Sequence, residues 1–399
     1  MSIRRFTSSL AAVLLPVTMA ALAPSGLASA SSSAAVDQLD EAVVAAMLAA
    51  TGQTRGNVTA GGRGFQVNVS REDAQAGWST GTAVITAAER EGSYPDGWVF
   101  VAQRENGHWS VGLDGSAQFG RLASAAPEGI MSAGEREVFA AAGRMGDIGI
   151  AATASSTTEL RLPWAVGQSW RLTGGPHGTS RGSVDLAGGD GRVLAAGSGN
   201  VYVMCSSRRG WLRVYHPNGY TSDYYHLSGN ITPANGTSVG EGAFLGNIGV
   251  DVSCGGSATG PHVHWSILKG DTRVGWHQRS AGKWVFFNGA AEYEGYALHG
   301  STRVNVGGSL YNYGKLMQNQ GLVDTFGGTT LNKRSGPGTG FSIVGSVADG
   351  ATVNVTCHRT GTSHTGRYGP SNVWDKLSDG TWVSDAYVYT GMVLIGPSC

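Results

Sequence analysis

The sequence predicts a mainly β protein, built from antiparallel sheets and divided into more than one folded part. Three observations carry that expectation. Glycine supplies 63 of 399 residues, roughly twice the usual ~7%. Charged residues are 14%, well under the ~25% of an ordinary soluble chain, where long solvated helices hold many of them. The apolar residues come mostly in short alternating runs bounded by Gly and Asn turns, the pattern of strands. The length allows two or three domains. Lys plus Arg and Asp plus Glu are 28 each, so net charge gives no reason to expect a nucleic acid or an anionic membrane as partner.

The elements follow in order. Arg4-Arg5 precede an apolar run from Leu10 to Ala23, and Ala28-Ser29-Ala30 offers a small-residue cleavage site. Residues 1–30 therefore read as a signal peptide, removed from an exported chain. The run contains Pro16 and is short for a membrane span, and no other stretch is a membrane candidate. Arg4-Arg5-Phe6 is compatible with either a twin-arginine or an ordinary export route. Residues 31–155 form an expected α+β block. It holds a helix over 37–50 and strand-like runs at 65–69, 82–85, 98–102 and 109–113, the last two joined by the tight turn Asn106-Gly107. Helix follows within 115–145. Ala151 to Thr158 is small and polar, suited to a linker and processing site.

Residues 156–317 read as all-β, with the best strands at 193–196, 201–205, 211–215, 221–226 and 262–268. His216 falls in the turn His216-Pro217-Asn218-Gly219 and is expected to be solvated. Period two places Tyr220, Ser222, Tyr224 and His226 on one strand face. Residues 320–399 read as a second β module, opened by Leu331-Asn332-Lys333-Arg334-Ser335-Gly336-Pro337 and closed by Trp382-Val383-Ser384-Asp385-Ala386-Tyr387-Val388. Four cysteines in an exported chain should make two disulfides, for which three pairings exist. Cys205 and Cys254 bracket the His226 region, while Cys357 and Cys399 share the C-terminal module. Pairing within modules is the economical expectation.

The chemistry concentrates in Gly260-Pro261-His262-Val263-His264-Trp265-Ser266-Ile267-Leu268. Alternation puts His262, His264 and Ser266 on one face and Val263, Trp265 and Ile267 on the other. Two imidazoles about 6.5–7 Å apart along a strand can share a metal ion and its water. Taken alone, His-x-His is more often a solvated strand face. Upstream, the loop Gly174-Gly175-Pro176-His177-Gly178 runs into Val184-Asp185-Leu186. His177, Asp185 and one histidine of the pair would give a two-nitrogen, one-oxygen set. Such a set suits zinc with an open fourth position, and strand geometry leaves open which histidine completes it.

These residues resemble the lysostaphin-type zinc endopeptidases of bacterial cell walls, especially the beta-lytic and staphylolysin-like branch. Gly-Pro-His, a later Asp, Tyr224-Tyr225-His226-Leu227 and Gly-x-His-x-His occur in the family's order. Seven residues separate His177 from Asp185, a longer spacer than the family's commoner form has, similar to the beta-lytic branch. The resemblance implies one zinc per chain on His177, Asp185 and His264, with His226 and His262 as the catalytic pair. It further implies a monomer that cuts glycine-containing peptide cross-bridges of peptidoglycan, outside the cell or at the wall. Residues 31–155 resemble the pro-regions of such secreted peptidases. Residues 320–399 are similar to bacterial SH3-like domains, small barrels appended to wall hydrolases. The alternatives are an inactive wall-binding or hydrolase-activating relative, which should lack ligands, and a zinc amidase, which differs only in the bond cut. A glycosidase would need a carboxylate pair that no motif suggests.

Overall fold

The computed structural model describes residues 27–147, 156–206, 210–270, 272–392 and 394–399. Most of the expected signal peptide and of the linker lies outside the described residues. Among those described, no helix is long and apolar enough to cross a membrane.

The chain opens with helix α1 (Leu27–Thr51), the short α2 (Arg55–Ala60) and an antiparallel meander of β1 (Phe65–Asp73), β2 (Trp78–Ile85), β3 (Asp96–Glu105) and β4 (His108–Leu113). Asn106 and Gly107 both take positive φ, 51° and 83°, which the two-residue turn between β3 and β4 requires. Helices α3 (Ala117–Ala125) and α4 (Ala133–Asp147) follow. Ser116 Oγ caps α3 by accepting from the Phe119 amide. The meander is apolar on both faces. Ala83, Ile85, Phe100 and Ala102 meet the α1 stripe Leu39, Val43 and Met47 on one side. Val84, Val99 and Val101 meet Phe119, Leu122 and Phe139 of the later helices on the other.

The central strands are β5 (Ser169–His177), β6 (Ser183–Gly188), β7 (Arg192–Leu194), β8 (Gly199–Val203), β9 (Gly210–Tyr215), β10 (Tyr220–Leu227), β11 (Thr237–Val239), β12 (Phe244–Asn247), β13 (Val263–Lys269) and β14 (Thr272–Arg273). They continue as β15 (Arg279–Ala281), β16 (Trp284–Asn288), β17 (Gly295–His299), β18 (Thr302–Asn305) and β19 (Ser309–Tyr311). The main sheet has the order β11-β8-β9-β10-β13-β6-β5-β19, with β14 beside β13. One of its faces sends Leu172, Leu186, Val201, Leu212, Val214, Tyr224, Val263, Trp265 and Ile267 into a core shared with Trp164, Trp276 and Phe286. That divides β13 as its alternation requires: Val263, Trp265 and Ile267 go inward, leaving His264 and Ser266 on the opposite face. The opposite face also carries Tyr202, Trp211, Tyr215 and Tyr225, which pack on residues of the N-terminal block.

The C-terminal sheet runs β22-β21-β25-β24-β23-β20-β26. Its strands are β20 (Gln320–Val323), β21 (Thr330–Arg334), β22 (Ile343–Ala348), β23 (Thr352–Gly366), β24 (Gly369–Leu377), β25 (Trp382–Ser384) and β26 (Val388–Tyr389). Ser156 and Thr157 lace this C-terminal end to the separate four-stranded sheet β15-β16-β17-β18. The Ser156 amide donates to Gly391 O (2.6 Å) and Ser280 N donates to Ser156 O (3.0 Å). Disulfides close Cys205 to Cys254 and Cys357 to Cys399.

Candidate active site

Three neighbouring strands bring His177, Asp185 and His264 together. Asp185 on β6 and His264 on β13 are direct cross-strand partners. His177 ends β5, whose register with β6 slips on both sides of Gly174. Gly174 is needed there: a Cβ at that position would stand 2.6 Å from Asp185 Oδ2. His264 Nδ1 lies 3.1 Å from Asp185 Oδ1 and 3.1 Å from His177 Nε2. His177 Nε2 lies 3.4 Å from Asp185 Oδ1. Donors at about 2.0–2.1 Å from a tetrahedral zinc stand about 3.3 Å from one another, so two imidazole nitrogens and a carboxylate oxygen fit that ion by type and spacing. Among the described residues this is the group of acidic, His and Cys side chains close enough to hold a metal.

Second contacts orient the donors. His177 Nδ1–H donates to Gly175 O (2.7 Å), which turns the Nε2 lone pair toward the cluster. The Asp185 carboxyl is half-buried, which opposes its ionisation, yet the neighbouring His177 and His264 rings hold its pKa well below the usual carboxylate range. It is an anion at neutral pH. Burial pushes the His264 pKa down to about 3, partly opposed by Asp185, so its ring is neutral. His264 Nε2 is buried with no hydrogen-bond partner.

His262 and His226 complete a ring of imidazoles. His262 Nδ1–H donates to Gly260 O (2.7 Å), and its Nε2 lies 3.6 Å from Asp185 Oδ1. His226 Nδ1–H donates to Asp251 O (2.8 Å), and its ring centroid is 4.8 Å from that of His262. Here the expected alternation of β10 fails. Tyr224 points into the core with Trp265, its cross-strand partner, and strict alternation would send His226 after it. Instead a bulge interrupts the β10–β9 register between Tyr224 and Leu227, and His226 takes φ 67°. That left-handed residue turns the imidazole back to the face of Tyr225 and His264. Burial, then the neighbouring His262, lowers the His226 pKa to about 4.

His216 also departs from expectation. It is not solvated but 2% exposed. Nδ1–H donates to Ser198 O (2.9 Å), while Nε2 pairs with Ser222 Oγ (2.7 Å). Burial lowers its pKa to about 4. It lies away from the cluster as a structural histidine.

Aromatic walls are what motif reading missed. Tyr293, in the loop between β16 and β17, stacks on His177 at 4.0 Å with an 18° interplanar angle. Tyr225 stacks on His226 at 4.3 Å. Tyr94, from the loop between β2 and β3, stacks on His264 at 4.7 Å and 21°, and its hydroxyl meets that of Tyr293. Tyr225 could have been noticed from its place in Tyr-Tyr-His-Leu. Nothing in the sequence around Tyr94 or Tyr293 marks them.

Parts of this sequence are shared with known proteins. Protease LasA of Pseudomonas aeruginosa is 33% identical over 177 residues, covering 41% of this chain and 37% of that protein. The chain thus spans little more than a third of that relative's length. Beta-lytic metalloendopeptidase of Lysobacter enzymogenes is 31% identical over 123 residues, 27% of this chain and 67% of that protein. The solved structure of the M23 metalloprotease pseudoalterin aligns with 28% identity and a TM-score of 0.35, over 39% of this chain and 99% of that one. Residues 179–281 match the family described as Peptidase family M23. With a relative of this similarity covered over two thirds of its length, and with a match that spans Asp185, His226, His262 and His264 and begins two residues after His177, the chain belongs to peptidase family M23.

Proposed function

We propose that the chain is a secreted zinc metalloendopeptidase that hydrolyses peptide cross-bridges of bacterial peptidoglycan. The observation that carries the reading is the convergence of His177 Nε2, Asp185 Oδ1 and His264 Nδ1 within 3.1–3.4 Å, with two further imidazoles beside them. His177, Asp185 and His264 would hold the metal, which supplies Lewis-acid polarisation and water activated near neutral pH. The protein's own residues do the rest. His226, neutral because burial holds its pKa near 4, offers an Nε2 lone pair that takes a proton from the attacking water. The same proton passes to the leaving amine as the C–N bond breaks. His262, whose Nδ1–H is committed to Gly260, turns its Nε2 to the site, where a proton on that nitrogen would stabilise the oxyanion. No His-Glu-x-x-His glutamate exists in the sequence, so imidazoles must carry the proton chemistry.

The Tyr293 and Tyr225 rings that stack on His177 and His226 favour a substrate with small side chains beside the site, such as a glycine-containing peptide. Residues 31–155 act as a pro-region, 156–317 as the peptidase and 320–399 as an SH3-like wall-targeting module. Mass spectrometry of fragments released from purified peptidoglycan tests the substrate. New amino termini within cross-bridges are expected, whereas release of intact stem peptides from the glycan would make the enzyme an amidase.

A further inference from the structure

The sheet face that bears the site continues as Tyr225, Trp211, Arg213, Tyr215 and Tyr202, and the N-terminal block covers it. Val84, Val99, Val101, Phe119 and Phe139 of the block share one apolar cluster with those aromatics. Phe139 lies 4.7 Å from Tyr215, ring to ring. The polar groups at this seam are also matched across it. Tyr202 OH donates to Glu135 (2.6 Å), which Arg71 holds from the other side (2.9 Å). Tyr215 OH donates to Asp114 (2.5 Å) and Arg213 to Gly97 O (2.6 Å). Backbones join as well, Ala87 N donating to Cys254 O (2.8 Å) and Gly256 N to Ala88 O (3.2 Å). None of these contacts involves residues 148–155.

We infer that the N-terminal block stays on the peptidase after the linker is cut, as a bound inhibitory subunit, with Tyr94 closing the site. Resting on the peptidase reading above, this deepens it: activation takes a second step beyond linker cleavage. An apolar, aromatic seam whose buried hydroxyls and guanidinium find partners across it has the character of a permanent interface. Cutting the linker removes only the tether's contribution to local concentration. The block's loop meanwhile lies over the metal-ligand cluster. Tyr94 covers the His264 ring and meets the Tyr293 hydroxyl, and Arg273 holds Pro95 O at 3.4 Å. A substrate peptide cannot reach His264 without displacing that ring.

The test uses the full chain with 148–155 replaced by a recognition sequence for a specific protease. After complete cutting, the two pieces should co-elute one to one in gel filtration. A soluble glycine-rich peptide should be hydrolysed slowly until the block is digested away. Tyr94→Ala in the same cut complex should raise hydrolysis roughly two- to tenfold, the weight of one stacked aromatic pair, without releasing the block. Separation of the pieces on cutting, or a co-eluting pair as fast as the digested enzyme, would overturn the inference. If even the digested enzyme is inert, the peptidase reading falls, while co-elution still decides whether the block is held or released.

Discussion

His226 occupies a backbone conformation at φ 67° that costs a residue with a Cβ about 1–2 kcal/mol. The Asp251 carbonyl and the Tyr225 ring that hold its imidazole offset that strain, and the product is a neutral imidazole beside the cluster. Its contribution should separate from that of the donors. His177→Ala or His264→Ala should remove bound zinc and hydrolysis together. His226→Ala and His262→Ala should keep the zinc while losing about 10²–10⁴-fold in rate, the usual weight of a positioned proton-transfer group. Zinc content by atomic absorption beside a peptide assay decides this. Zinc lost from His262→Ala but retained in His264→Ala would reverse the two assignments. Gly174→Ala offers a subtler check. Its methyl would press on Asp185 Oδ2, so zinc affinity should fall although no donor is removed.

Among elements, β13 was fully legible because its alternation is strict and one face is entirely apolar. On β10 the same rule reads correctly only as far as Tyr224 and then points His226 into the core. A bulge is a backbone event, and Tyr-Tyr-His-Leu carries no Gly or Pro to announce it. His216 misled for a related reason: His-Pro-Asn-Gly describes a turn correctly but not what packs over it. In the C-terminal sheet, alternation does not reveal that Asp375 on β24 is buried with both carboxyl oxygens unpartnered. Burial and the nearby Asp385 charge raise its pKa. A carboxyl raised above its unfolded value of ~3.9 binds more protons folded than unfolded. Its stabilisation is therefore present at low pH and lost as pH rises from about 4 through the folded pKa. Calorimetry should show the C-terminal transition moving to lower temperature between about pH 5 and pH 8. Asp375→Asn should flatten that dependence, and an unchanged slope would show that the carboxyl is not the group responsible.

At the scale of the whole molecule, Ser156 and Thr157 limit where the mature chain can begin. Thr157 and Thr158 are buried and bonded to Thr390 and Ser280, so a start at residue 160 would strip contacts with both later sheets. N-terminal sequencing of the active form should find a start between 148 and 156. The same lacing changes how wall targeting must be tested. Leu322 and Tyr389 of the C-terminal sheet share an apolar cluster with Val285, Phe287 and Leu298. Deleting 320–399 would therefore expose peptidase residues and lower activity for reasons unrelated to wall binding. Substitutions in an open cleft avoid this. Asn332, Arg334, Thr339, His364, Trp374 and Tyr387 line one of about 340 Å3, remote in sequence from every proposed metal ligand. His364→Ala with Asn332→Ala should leave hydrolysis of a soluble peptide unchanged. Lysis of intact walls should fall roughly tenfold to a hundredfold, because a second attachment raises the local concentration of the peptidase at its substrate. Sedimentation of the slowed His226→Ala chain with purified walls, with and without the cleft substitutions, gives the binding half of the comparison. Equal sedimentation and equal lysis would show that this cleft does not hold the wall, leaving the module as a brace for the peptidase behind it.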